Sequence, residues 1–244
     1  FNGKGEKVKS GGTVVKNVTG YDLSKLITGS FGTLVALSEI TLKVLPLEPE
    51  TKTIIVSGLP LEHGLTIMGA AISSSNDPSG AIHYPGNFRN NFVFNDLTHP
   101  GSITAIRVEG TKISVDQRIE NLKQDLSLKD KKLTILDRIQ SEIFWEDSRS
   151  LKVLSTNENN ILRAVVPPSE TLNLVNRIKT FHPNYFIDWG GSLIWIELDY
   201  LSTQKIDQLR QRILSANGYI TLIKSKDSVK SSSEIFTIDP CLLY

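Results

Sequence analysis

GGTVVKNVTGYDLSKLITGSFGTLVALSEITLKVLP, residues 11 to 46, reads as a strand, a turn, a short helix, a glycine corner and a second, longer strand. Thr13 to Lys16 supplies β-branched residues and runs into Asn17 and Gly20, a turn signal. Asp22 then stands where a helix needs an N-cap acceptor, and Leu23, Leu26 and Ile27 give that helix one apolar side. Gly29 follows, at the place where a helix end calls for a left-handed residue. In Gly29-Ser30-Phe31-Gly32-Thr33 two glycines stand three apart, so a ligand or another backbone can approach without Cβ obstruction, with N–H groups turned outward. The bland alternative is a helix stop followed by a tight turn. Ile40, Leu42 and Val44 alternate with Thr41 and Lys43, which predicts a half-buried strand ending at Pro46.

Taken whole, the block resembles the end of the FAD-binding (PCMH-type) domain of vanillyl-alcohol-oxidase-like FAD-linked oxidases. Within them it is most similar to the FAD-binding subunit of bacterial glycolate oxidase. The residues that carry the likeness are Gly11-Gly12, Val15-Lys16-Asn17-Val18, Gly20-Tyr21-Asp22-Leu23, Leu26, Gly29-Ser30, Gly32-Thr33-Leu34, Glu39, Thr41-Leu42-Lys43-Val44 and Pro46. Val35 departs from the pattern, since many relatives carry glycine there. The resemblance implies that Asn17 and Gly20 of the turn, Gly29, Ser30, Gly32 and Thr33 of the corner, and Leu37 beyond it form one wall of an FAD site. It also implies a 2-hydroxy-acid substrate and partner subunits, among them a sister flavoprotein and an iron–sulfur subunit.

Composition narrows the alternatives. With 27 basic against 26 acidic residues the net charge is +1, and no basic stripe interleaved with aromatics is present, so the electrostatic footprint of nucleic-acid binding is missing. No apolar run approaches the roughly 18 residues of a membrane helix, and no signal segment opens the chain, which predicts a cytoplasmic protein whose only membrane association is through partners. The single cysteine, Cys241, cannot form an internal disulfide or hold an iron–sulfur cluster by itself. His63, His83, His99 and His182 lie at no metal-ligand spacing, so no metal site is predicted, and no residue identifies itself as a catalytic base. P-loop, dinucleotide G-x-G-x-x-G and nucleophile-elbow motifs are absent. The start at Phe1, with Asn2-Gly3 reading as a hairpin turn, and the end at Tyr244 lead us to expect a fragment lacking sequence at both ends, and by itself inactive and without FAD.

Past Leu47, Glu48-Pro49-Glu50 reads as a linker, placing the boundary between residues 1–47, the end of the FAD-binding domain, and 48–244, an α+β cap. The cap pattern repeats. Strands at Thr53 to Ser57, Ala81 to Tyr84, Ile103 to Glu109 and Leu133 to Leu136 alternate with helical stripes at Leu61/Leu65/Met68/Ile72 and Val115/Ile119/Leu122/Leu126. The loop from Pro85 to Gly101 reads as an excursion with a short strand at Asn91 to Phe94. After a connecting amphipathic helix over 139–151, with Ile143 and Phe144 inward, the same order returns. Strands lie at Ile161 to Val166, Tyr185 to Trp189, Leu193 to Leu198 and Tyr219 to Ile223, with helices capped by Ser169 and Ser202, the first bearing Leu172, Val175, Ile178 and Phe181 on one side. The expectation is α+β: two ferredoxin-like βαββαβ units, about 53–137 and 161–224, with antiparallel sheets and helices on one face. Ser225 to Ser233 reads as a mobile loop. Phe144 to Arg149, Arg163 to Pro168 and Ile187-Asp188-Trp189-Gly190-Gly191 also resemble landmarks of the glycolate oxidase subunit. The hairpin either faces a substrate or subunit, or packs a tight turn into the cap.

Two functions follow. One is an FAD-binding subunit that oxidises a 2-hydroxy acid; the other is a non-catalytic assembly subunit that keeps the flavoprotein fold while a sister subunit does the oxidation.

Overall fold

The computed structural model describes residues 1–11, 21–86, 101–128, 131–154 and 159–237, and its contacts divide the chain into Phe1–Leu47 and Glu48–Tyr244. The predicted strands at Thr13 to Lys16 and Asn91 to Phe94 lie outside the described residues.

In the first unit the Asn2 side chain ties a turn, its Oδ1 accepting from the amides of Lys4 and Glu6 at 3.0 Å each. Helix α1 (Leu23–Ile27) is capped by Asp22, whose carboxylate accepts from the Lys25 amide at 3.1 Å. The predicted long strand over 40–45 is not formed. Ile40, Leu42 and Val44 are 64%, 75% and 80% exposed, and no neighbouring strand pairs with them among the described residues. Alternation is a local property; a strand exists only when a partner takes its N–H and C=O groups.

The second unit is one eight-stranded antiparallel sheet. Its elements are β1 (Glu50–Ser57), α2 (Leu61–Ile72), β2 (Gly80–Tyr84), β3 (Ile103–Gly110), α3 (Lys112–Asp125), β4 (Lys132–Leu136), α4 (Arg138–Arg149), β5 (Asn160–Val165), α5 (Pro168–Ile178), β6 (Asn184–Asp188), β7 (Leu193–Leu198), α6 (Thr203–Leu214), β8 (Tyr219–Lys224) and α7 (Asp227–Ser232). The spatial order β4-β1-β3-β2-β6-β7-β5-β8 makes each half a ferredoxin-like βαββαβ unit. The halves meet edge to edge through their second strands, with His83 opposite Ile187. Joining there gives each of those edges a partner and leaves β4 and β8 at the rims.

Strand parity explains the layers. Ile54, Val56, Ile106 and Val108 point to α2 and α3, and Leu162, Ala164, Ile187, Ile194 and Ile196 point to α5 and α6, so four helices cover one face. Ile55, Ile82, Tyr84, Ile103, Ala105 and Phe186 point the other way, where α4 brings Phe144. The expectation of helices on a single face is thus corrected: β1 buries residues on both sides because α4 crosses back beneath it. In α4, Phe144 is fully buried but Ile143 is 40% exposed, and Asp137 with Gln140 forms a capping box.

Three smaller corrections concern helix ends. Helix α5 starts on Pro167 with Pro168 in its first turn, so Ser169 does not cap it, because a proline lacking its N–H is well placed there. Its buried stripe is Thr171, Leu174, Val175 and Ile178, with Leu172 only half-buried, one position off the predicted side. Residues 227–232 are helical, with Val229 against the core, in place of the expected loop; beyond them Ile235 O accepts from Leu222 N at 2.9 Å and Thr237 N donates to Ile220 O at 3.1 Å, bracing the β8 edge. Ser202 caps α6 as expected, accepting from Lys205 N at 3.3 Å.

Candidate functional site

The face of the sheet that α4 only partly covers carries a row of rings across the junction of the two halves. Tyr84 and Phe186 stand on adjacent strands with centroids 5.0 Å apart, Phe144 meets Tyr84 edge-on at 6.1 Å, and Trp195 lies beyond Phe186 at 6.4 Å. The Tyr84 hydroxyl donates to Ser148 Oγ at 2.7 Å, and burial raises its pKa well above the ordinary phenol value. The ring row is therefore a rigid floor, its polar tip satisfied internally.

On the same face two arginines stack on tryptophan rings. Arg107 leaves β3 on this face because its neighbours Ile106 and Val108 face the helices, and its guanidinium lies 4.8 Å from the Trp145 ring centroid. It is anchored: Nε donates to Ser79 Oγ at 3.0 Å, and Glu109 lies 3.2 Å away. Trp145 in turn donates from Nε1 to Thr53 Oγ1 at 2.9 Å. Arg163, set between the inward residues Leu162 and Ala164 of β5, stacks on Trp189 at the same 4.8 Å.

Trp189 opens the turn between β6 and β7 with φ 52°, a strained value for a bulky residue, and remains 57% exposed. Asp188 holds that conformation, its Oδ1 accepting from Trp189 N at 2.7 Å. Burial raises the Asp188 pKa, while the Trp189 N–H bond and the Arg107 charge pull it back in part. The glycines of the turn pack inward: a Cβ on Gly190, itself at φ 63°, would stand 3.0 Å from Ile72 of α2. The two readings of this hairpin are thus divided between its residues, since the glycines pack and the tryptophan does not.

At the opposite end of β6 a cleft of about 740 Å³ is lined by Leu61, Pro85, Lys179, His182, Tyr185 and Asp199. Burial pushes the Tyr185 hydroxyl up to about 12, so it stays protonated.

The glycine corner expected to border FAD belongs to the first unit. Gly29 and Gly32 adopt φ 86° and 76°, and a Cβ on either would meet nothing within 4 Å, so the space before them is open. Its amides are only partly available. Ser30 N donates to Ile27 O at 3.1 Å and Thr33 N to Ser30 O at 3.0 Å, which corrects the expectation of outward N–H groups at those two residues. Thr33 Oγ1 also donates to Ser30 O, at 2.6 Å, whereas Gly32 N donates to nothing among the described residues. Leu37 is 56% exposed, and Asn17 and Gly20 lie outside the described residues. The corner is open, and its Gly29 and Gly32 amides donate to nothing among the described residues.

Sequence reasoning named Arg163 only as the start of a landmark segment, with no role of its own, and missed the Arg107–Trp145 stack. The signal for Arg163 was its place between Leu162 and Ala164: a cation flanked by two inward residues must lie on the other face. Among the described residues no group of three or more His, Cys, Asp or Glu could hold a metal ion. No helix among them is long and apolar enough to cross a membrane.

Comparison with known proteins now places this architecture. No protein-family profile matches the chain. Over 227 residues, 93% of the chain, it is 26% identical to the glycolate oxidase subunit GlcE of Escherichia coli (strain K12). The chain is similar in sequence to GlcE along nearly its whole length. A 48-residue segment is 46% identical to the glycolate oxidase subunit GlcD of Bacillus subtilis (strain 168), covering 20% of the chain and 10% of that protein. Among solved structures, alkyldihydroxyacetonephosphate synthase superposes with a TM-score of 0.59 at 15% identity, over 84% of the chain and 46% of its own. The α+β fold is thus shared with that synthase. The chain spans 54% of the length of GlcE, about half.

Proposed function

We propose that the chain is part of the FAD-binding subunit of a glycolate oxidase-like complex that oxidises a 2-hydroxy acid. The observation that carries this reading is the similarity to GlcE along nearly the whole chain, joined to a cap of matching fold. In this reading residues 1–47 end the FAD-binding domain and 48–244 form the cap, with its halves at about 53–137 and 161–224. Asn17, Gly20, Gly29, Ser30, Gly32, Thr33 and Leu37 line one side of the cofactor. When bound, FAD supplies the two-electron acceptor for the acid's α-carbon. The chain contributes a glycine corner without side chains in the way. A sister flavoprotein subunit and an iron–sulfur subunit complete the complex and carry electrons away, in the cytoplasm or at a membrane reached through those partners.

Gly32→Val tests the cofactor part. Valine fills the open space and is strained at φ 76°, so the subunit purified with its partners is expected to retain less flavin than the parent, measured by flavin fluorescence after denaturation. Equal flavin in both would show that the corner does not border the cofactor. Flavin retained in the parent without reduction by glycolate would favour the assembly role over the catalytic one.

A further inference from the structure

We propose that Arg163, held flat on the exposed Trp189 ring, binds the carboxylate of a small organic acid. Every other arginine among the described residues donates to at least one acceptor: Arg107 to Ser79, Arg118 to Asn76 O, Arg138 to Pro49 O, Arg149 to Glu146, Arg177 to Ser215, Arg210 to Asp207 and Arg212 to Thr180. The Arg163 side chain makes neither a hydrogen bond nor an ion pair among them; its one interaction is the stack on Trp189.

That exception has a physical meaning. A half-buried guanidinium presents five N–H donors, and donors left without acceptors in a partly dried site are costly. Stacking fixes the plane of the fork while leaving its N–H edge open, which suits two-pronged recognition of a planar carboxylate. The platform is itself fixed, because Asp188 locks the Trp189 backbone and the glycines after it pack against α2 and Pro168.

This deepens the reading of the chain as a 2-hydroxy-acid oxidoreductase and rests on it only for which acid is taken. The measurement needs no flavin, so the two can fail separately. The full chain, labelled with ¹⁵N, is titrated with sodium acetate and with sodium glycolate at constant ionic strength, following the indole N–H signals of its three tryptophans, with Trp189 assigned from Trp189→Phe. The expected result is a saturable shift of the Trp189 signal with both acids and none with chloride. Arg163→Gln should weaken binding roughly tenfold or more, and Arg163→Lys, which keeps the charge but loses the fork, by less. Unchanged positions of the Trp145 and Trp195 signals in Arg163→Gln verify that the fold is intact. No shift, an equal shift with chloride, tighter binding of inorganic phosphate, or unaltered binding by a folded Arg163→Gln protein would each overturn the proposal.

Discussion

The imidazole of His83 lies directly against Gly64: a Cβ built on this residue of α2 would stand 2.3 Å from His83 Nδ1. His83 is fully buried on the strand that joins the two halves of the sheet, and its Nδ1 is 2.8 Å from Thr104 Oγ1. Helix and sheet approach this closely only because residue 64 has no side chain. Gly64→Ala would ordinarily favour the helix by about 1 kcal/mol, but the collision outweighs it, and a net loss of about 1–3 kcal/mol is expected. Urea unfolding of the variant is the measurement. His83→Ala in the same chain should recover part of the loss, since the two residues share one space.

Burial lowers the His83 pKa to about 4 from an ordinary 6.5, because the protonated ring would sit between α2 and the sheet with Nε2 lacking a partner. The sign follows from which state takes the proton first. Above 6.5 the ring is neutral both folded and unfolded and contributes no pH dependence. As pH falls from 6.5 to 4 the unfolded chain binds a proton that the folded chain refuses, so stability drops, by on the order of 3 kcal/mol in all. Urea midpoints at several pH values across that window should fall more steeply for the parent than for His83→Gln.

Asp137 and Gln140 close a capping box at the start of α4, with Gln140 N donating to Asp137 Oδ1 at 2.9 Å and Asp137 N to Gln140 Oε1 at 3.1 Å. Since α4 covers the second face of β1, losing the cap loosens that layer. Asp137→Ala is expected to cost about 1 kcal/mol, read as a lower thermal midpoint, with Asp137→Asn recovering most of it.

Gly190→Ala tests the turn that presents Trp189. The new methyl meets Ile72 at 3.0 Å and must take φ 63°, so a loss of about 1–2 kcal/mol is expected. Tryptophan fluorescence should also change, because the ring that stacks under Arg163 is carried by the same turn.

The second unit was legible in the sequence because its order is written twice in local signals. Stripes such as Val115/Ile119/Leu122 and Ile206/Leu209/Ile213 fix helices, and the turn at Trp189 to Gly191 fixes the β6–β7 pairing. What escaped were relations between distant residues. The strand over 40–45 carries its alternation but not its partner, and the joining of two sheets through His83 and Ile187 depends on edges that no local pattern announces. At the site, the glycine corner stood out through residue type, and its left-handed φ values followed from glycine. Arg163 did not stand out: its significance lies in the missing acceptor, which only three-dimensional neighbours reveal.

We propose that this chain works within a flavin enzyme for 2-hydroxy acids. The most direct measurement is the visible spectrum of the subunit purified together with its co-expressed partner subunits, recorded anaerobically before and after glycolate is added. The expected result is bound flavin that glycolate bleaches. A preparation that carries no flavin, or whose flavin no 2-hydroxy acid bleaches, would contradict it.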